Sequence, residues 1–93
     1  MKKSFSFLLF TVFLFVAGIA QKTYIDSLTK IYEDASGALK VEALNKISFY
    51  YLDRENDKAI YYAKLAEQLA TSGSYKKELV SSCNNIGIYY ALI

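Results

Sequence analysis

Leu44-Asn45-Lys46-Ile47-Ser48-Phe49-Tyr50-Tyr51 and Cys83-Asn84-Asn85-Ile86-Gly87-Ile88-Tyr89-Tyr90 are two versions of one segment, offset by 39 residues. The Asn, the Ile and the Tyr-Tyr pair recur at matching places, and Val41 recurs as Val80. A period of this size marks helical units stacked side by side, because a single unit has too little apolar surface to fold alone. Arrays of that kind offer an extended surface. The repeat therefore predicts binding rather than chemistry.

Around these segments, apolar residues recur at helical spacing and no Pro interrupts them. Val41, Leu44, Ile47, Ser48 and Tyr51 form an inward stripe on a helix over about 38–52. Asp53-Arg54-Glu55-Asn56 makes a turn, with Asn56 or Asp57 placed to cap the next helix. That helix, over about 57–71, carries Ala59, Ala63, Ala66 and Ala70, small residues that let two backbones approach. Ser72-Gly73-Ser74 ends it, with Gly supplying the stop. A further helix from about Tyr75 has Val80, Cys83, Ile86, Gly87 and Tyr90 in the register of the earlier stripe. Upstream, Thr23-Tyr24-Ile25-Asp26 has the form of a capping box. Ile25, Leu28, Ile31 and Tyr32 then share one face of a starter helix that Ser36-Gly37 terminates.

The first twenty residues differ in kind. Met1-Lys2-Lys3 precedes an uncharged apolar run, Phe5 to Ala20, ending in the small residues Gly18 and Ala20 around Ile19. This is the pattern of a secretory signal peptide cleaved before Gln21. Retention as an anchor through residues 5–20 is the alternative, although a span needs about 20 apolar residues. No Cys lies near the junction to accept a lipid. The domain plan is thus a signal at 1–20, a starter helix at 21–37, a helix pair at 38–73 and a following helix at 74–93.

Two of the eleven basic residues, Lys2 and Lys3, belong to the signal, which leaves nine against nine acidic residues in 21–93. A neutral domain has no long-range field to gather nucleic acid or anionic lipid. Membrane contact is expected only through the signal segment. There is no His, the usual base at neutral pH and a common metal ligand. The acidic turn 53–57 lacks the Gly and the distal carboxylate of a calcium loop, since Lys58 and Lys64 stand there. It reads as a solvated turn. Cys83 is the lone cysteine, and its place opposite Leu44 in the repeat predicts a small buried hydrophobe. No catalytic residue, metal ligand or cofactor is expected.

Taken together, these residues resemble the tetratricopeptide repeat. In that family paired antiparallel helices carry a large apolar residue, an aliphatic–small pair and Tyr on the first helix, and spaced Ala on the second. Cys83, Ile86-Gly87 and Tyr90 are similar to the first-helix pattern, as are Leu44, Ile47-Ser48 and Tyr51; Ala59, Ala63 and Ala66 resemble the second. The likeness covers 38–93. It departs in its period, longer than the family's usual 34, in Ser48 standing for Gly, and in the absent closing Pro. Long-period repeats of this sort resemble exported segments that precede bacterial sensor histidine kinases or DNA-binding regulators.

The resemblance implies an all-α solenoid of antiparallel helix pairs, incomplete at its carboxyl-terminal end. It implies a protein- or peptide-binding module without catalysis, periplasmic or secreted, or the sensory front of a longer signalling protein. Asn45, Phe49, Asn84 and Ile88 would face the concave groove where the family grips extended peptides. An apolar groove with two carboxamides suits a neutral peptide. Phe49 and Ile88 packing on neighbouring repeats is the competing reading. The last helix, with no partner to cover Ile86, Tyr90 and Leu92, is expected to invite oligomers or to be the start of further repeats.

Overall fold

A computed structural model describes the backbone from Lys2 to Ile93 and the side chains from Gly18 onward. Most of the run read as a signal, residues 1–17, therefore lies outside the described side chains. Four helices follow one another: α1 (Lys2–Asp34), α2 (Gly37–Tyr51), α3 (Asn56–Gly73) and α4 (Lys76–Leu92). The protein is all-α, and the described residues contain no strand. The links are two to four residues long, which forces sequential helices to lie antiparallel.

Helix ends differ from expectation in three places. α1 runs straight through Thr23, so the capping box does not form there, and Thr29 instead returns its hydroxyl to the Ile25 carbonyl at 2.8 Å. Neither Asn56 nor Asp57 caps α3; Glu55 holds the N-cap position without a side-chain bond. At the other end of α3, Ser74 rather than Gly73 adopts the left-handed conformation, at φ 60°. Ser74 N–H donates to the Thr71 carbonyl at 3.3 Å and Tyr75 N–H to that of Ala70 at 2.9 Å, a Schellman closure. Gly73 is needed for a different reason: a Cβ there would collide with the Tyr75 ring. Gly37 opens α2 at φ +66°, a conformation that costs glycine little.

The core forms where α2 meets α3. Val41 and Leu44 pack on Ala66 and Ala70, ringed by Tyr32, Tyr62, Leu65, Leu69, Tyr75 and Leu79. Ser48 donates its hydroxyl to the Ala59 carbonyl at 2.8 Å, and Tyr51 stacks on Tyr62 with ring centroids 6.2 Å apart. Val41 and Leu44, early in α2, meet Ala66 and Ala70, late in α3, while Ser48, late in α2, meets Ala59 near the start of α3, so the two helices cross antiparallel. Ala59, Ala63, Ala66 and Ala70 are all buried, so their missing bulk is what brings the backbones together. α1 contributes Leu28, buried, and Tyr32, whereas Ile31 faces solvent, against the expected inward face.

α4 lies beside α2 and packs on α3 with a face other than the repeat register suggests. Ser82 and Asn85 are buried and Leu79 touches the core, while Val80, Cys83, Gly87 and Tyr90 point outward. Cys83 is thus exposed, not the buried hydrophobe expected from its alignment with Leu44. The physical reason is geometric. α2 is covered by α3 on its repeat face, but α3 and α2 together cover the opposite side of α4.

Candidate functional site

Three helices enclose a groove. α2 and α4 form its floor, running parallel, since Asn45 meets Ser82 and Asn85 while Phe49 lines a cavity with Ile88. α1 forms the wall through Tyr24, whose ring lies 6.1 Å from that of Tyr50.

A polar lattice fixes the floor. Asn45 Nδ2 donates to the Glu78 carbonyl at 3.0 Å, and its Oδ1 accepts from the Ser82 hydroxyl at 2.8 Å. Asn85 Nδ2 donates to the Asn45 backbone carbonyl at 2.9 Å. Each buried polar group thereby finds a partner, and no described buried side-chain N or O is left without one. Because these bonds cross from α2 to α4, they set the spacing of the two helices and hence the groove width.

Two cavities open along this floor. One, of about 320 Å³, is bordered by the Asn45–Asn85 lattice, Ser81 and Lys77, with the ion pair Glu42–Lys46 (3.2 Å) on its rim. The other, of about 430 Å³, is lined by Tyr24, Phe49, Tyr50, Arg54, Ile88 and Leu92. Tyr24 and Phe49 border both, so the groove is continuous; both linings are mostly apolar, with more polar side chains bordering it towards the start of α4 and Asp53 and Arg54 towards its end. Phe49, 63% exposed, presents its ring to any occupant. The apolar end is held by Arg54, which donates to the Tyr50 carbonyl at 2.7 Å and lies 4.3 Å above the Tyr50 ring.

Of the four residues expected in a groove, Phe49 and Ile88 come together. Asn45 lines the polar cavity with its carboxamide already engaged, and Asn84 is exposed and borders neither cavity. Tyr24, Ser82 and Asn85 escaped the sequence reading. A signal for the last two existed: Ser82, Asn85 and Tyr89 share one helical face at three- and four-residue spacing. The offset of 39 pointed to Asn84 instead. Tyr24 carried no such signal, since it lies outside both repeats.

The charged groups do little beyond shaping the surface. Asp53 pairs with Arg54 at 2.9 Å and Glu55 with Lys58 at 3.2 Å, all well exposed. Lys58 is raised above its ordinary pKa by its hydrogen bond to Glu55. Tyr62 is raised as well, chiefly by burial and then by the neighbouring Tyr51. No group of three metal-ligating side chains gathers among the described residues, and no helix there is long and apolar enough to cross a membrane. Comparison with known proteins returns no matching family model, no matching curated protein and no matching solved structure.

Proposed function

We propose that this chain is a non-catalytic, tetratricopeptide-like module that holds an extended peptide along the α2–α4 groove. The carrying observation is the juxtaposition of Phe49 and Ile88, equivalent positions of the two repeats, with Tyr24 in one largely apolar cavity that continues into a second, bordered by the Asn45–Asn85 lattice. An apolar side chain of the peptide would sit against Phe49, Tyr24 and Ile88. Its backbone would then run past Ser81 and Lys77 at the polar end. Aromatic contact supplies most of the binding energy in such sites, and the surrounding polar groups give direction. The repeat offset of 39 and the buried alanines of α3 support the solenoid reading.

Export belongs to the same proposal, on the composition of residues 1–20. The long period also favours a second reading, in which this module is the sensory front of a signalling protein. Selection of displayed random peptides against the full chain tests the groove. Phe49→Ala and Tyr24→Ala should each lose bound peptides while keeping the helical spectrum. Peptides that bind both variants as well as the parent would place the site elsewhere. Amino-terminal sequencing of the secreted protein should begin at Gln21; a retained Met1 refutes cleavage.

A further inference from the structure

Beyond residue 20 the aromatic complement is nine Tyr and a single Phe, Phe49. Apolar packing is served as well by Phe. What Tyr adds is a phenol, which hydrogen-bonds and can also lose an electron together with its proton. Five of these rings touch in series. Centroid to centroid, Tyr24 lies 6.1 Å from Tyr50, Tyr50 5.0 Å from Tyr51, Tyr51 6.2 Å from Tyr62 and Tyr62 5.2 Å from Tyr61. The series starts on the groove wall of α1, crosses α2 and ends on α3, where Tyr61 is 63% exposed and borders neither groove cavity. Tyr89 and Tyr90 form a separate pair on α4, 5.1 Å apart.

We propose that Tyr24, Tyr50, Tyr51, Tyr62 and Tyr61 conduct an oxidising equivalent from the groove to the exposed side of α3, and that Tyr61 is the residue modified, by dityrosine coupling to a second copy of this chain. The oxidant is a one-electron acceptor of the peroxidase-intermediate class. It takes one electron from Tyr24 while water takes the phenol proton, leaving a neutral phenoxyl radical. Each step along the series returns an electron and a proton to the ring just oxidised and removes them from the next. Two Tyr61 radicals, one on each of two chains, then form one ortho carbon–carbon bond, and the two displaced ring hydrogens move to the phenol oxygens.

The surroundings of the rings favour the two ends. Arg54 sits 4.3 Å above the Tyr50 ring and Lys58 5.2 Å above that of Tyr51. A positive charge on a ring face opposes loss of an electron from that ring. Burial holds the Tyr62 proton more tightly, which opposes its release. The three inner rings therefore pass the radical on, and it comes to rest on Tyr24 or Tyr61. Tyr24 lines two cavities of the groove, whereas Tyr61 projects into solvent, where two chains can bring their rings together.

The test starts the radical at one end of the series. A ruthenium polypyridyl photo-oxidant is tethered through Ser27→Cys, an exposed position one turn from Tyr24, in the full chain with Cys83→Ser. A cobalt(III) ammine accepts the electron from the excited ruthenium, which then oxidises Tyr24. Peptide mass spectrometry compares dityrosine at Tyr61 with that at Tyr90, which is 57% exposed and lies outside the series. Coupling at Tyr61 should exceed that at Tyr90 severalfold, although the two are almost equally exposed. Tyr51→Phe and Tyr62→Phe each keep a ring in the stack but remove its phenol. Each should bring Tyr61 down to the Tyr90 level while oxidation at Tyr24 persists. Equal coupling at Tyr61 and Tyr90 in the parent overturns the proposal, as does an excess at Tyr61 that survives both substitutions.

Discussion

Ser48 and Gly87 occupy the same place in the two repeats, and the structure gives them opposite responses to enlargement. Ser48 is fully buried against the α3 backbone, with its hydroxyl bonded to the Ala59 carbonyl. Ser48→Leu removes that bond, at about 1 kcal/mol, and forces a larger side chain between two backbones, at about 1–3 kcal/mol. Gly87 stands in open space on a helix interior, so Gly87→Ala gains about 0.5–1 kcal/mol by restricting the unfolded chain. In a domain of this size about 1 kcal/mol moves Tm by about 4–8 °C. Thermal melts followed by circular dichroism should therefore fall by about 10 °C or more for Ser48→Leu and rise by a few degrees for Gly87→Ala. Urea midpoints should move in the same order at constant slope. Equal destabilisation by both changes would refute the exposure of the α4 face. Tolerance of Ser48→Leu would refute the tight α2–α3 crossing.

Asn45→Ala should cost about 1–2 kcal/mol, because it strips two bonds from the lattice that fixes α4 to α2, whereas Asn84→Ala should stay within about 0.5 kcal/mol; urea denaturation distinguishes them. Burial, then the neighbouring Tyr51, raises Tyr62 above the usual tyrosine value, so the fold binds this proton more tightly than the unfolded chain does. Its contribution is fully present below about pH 10 and is lost as pH climbs through the raised value. Tyr62→Phe should flatten the alkaline limb of a stability–pH curve, and an unchanged limb would assign that limb to other groups.

Much of the architecture was readable from residue order. Spacing of Val41, Leu44, Ile47 and Ser48 and the alanines of α3 dictates which faces are apolar, and the short links leave antiparallel packing as the compact solution. The all-helical class and the buried α2 and α3 faces followed from these local facts. The two repeats match at four of their eight positions, yet even matched positions differ in environment. Leu44 is buried and Cys83 exposed because α3 lies over one and no described helix lies over the other. Likewise Asn45 and Asn84 match in the repeat, yet only Asn45 faces a neighbour whose backbone can accept its amide. The groove wall depended on Tyr24, which reaches Tyr50 only once α1 has folded back along α2. Residue order determines which face of each helix seeks company. Which neighbour arrives, and which face remains open, depends on the order in which helices can cover one another in three dimensions.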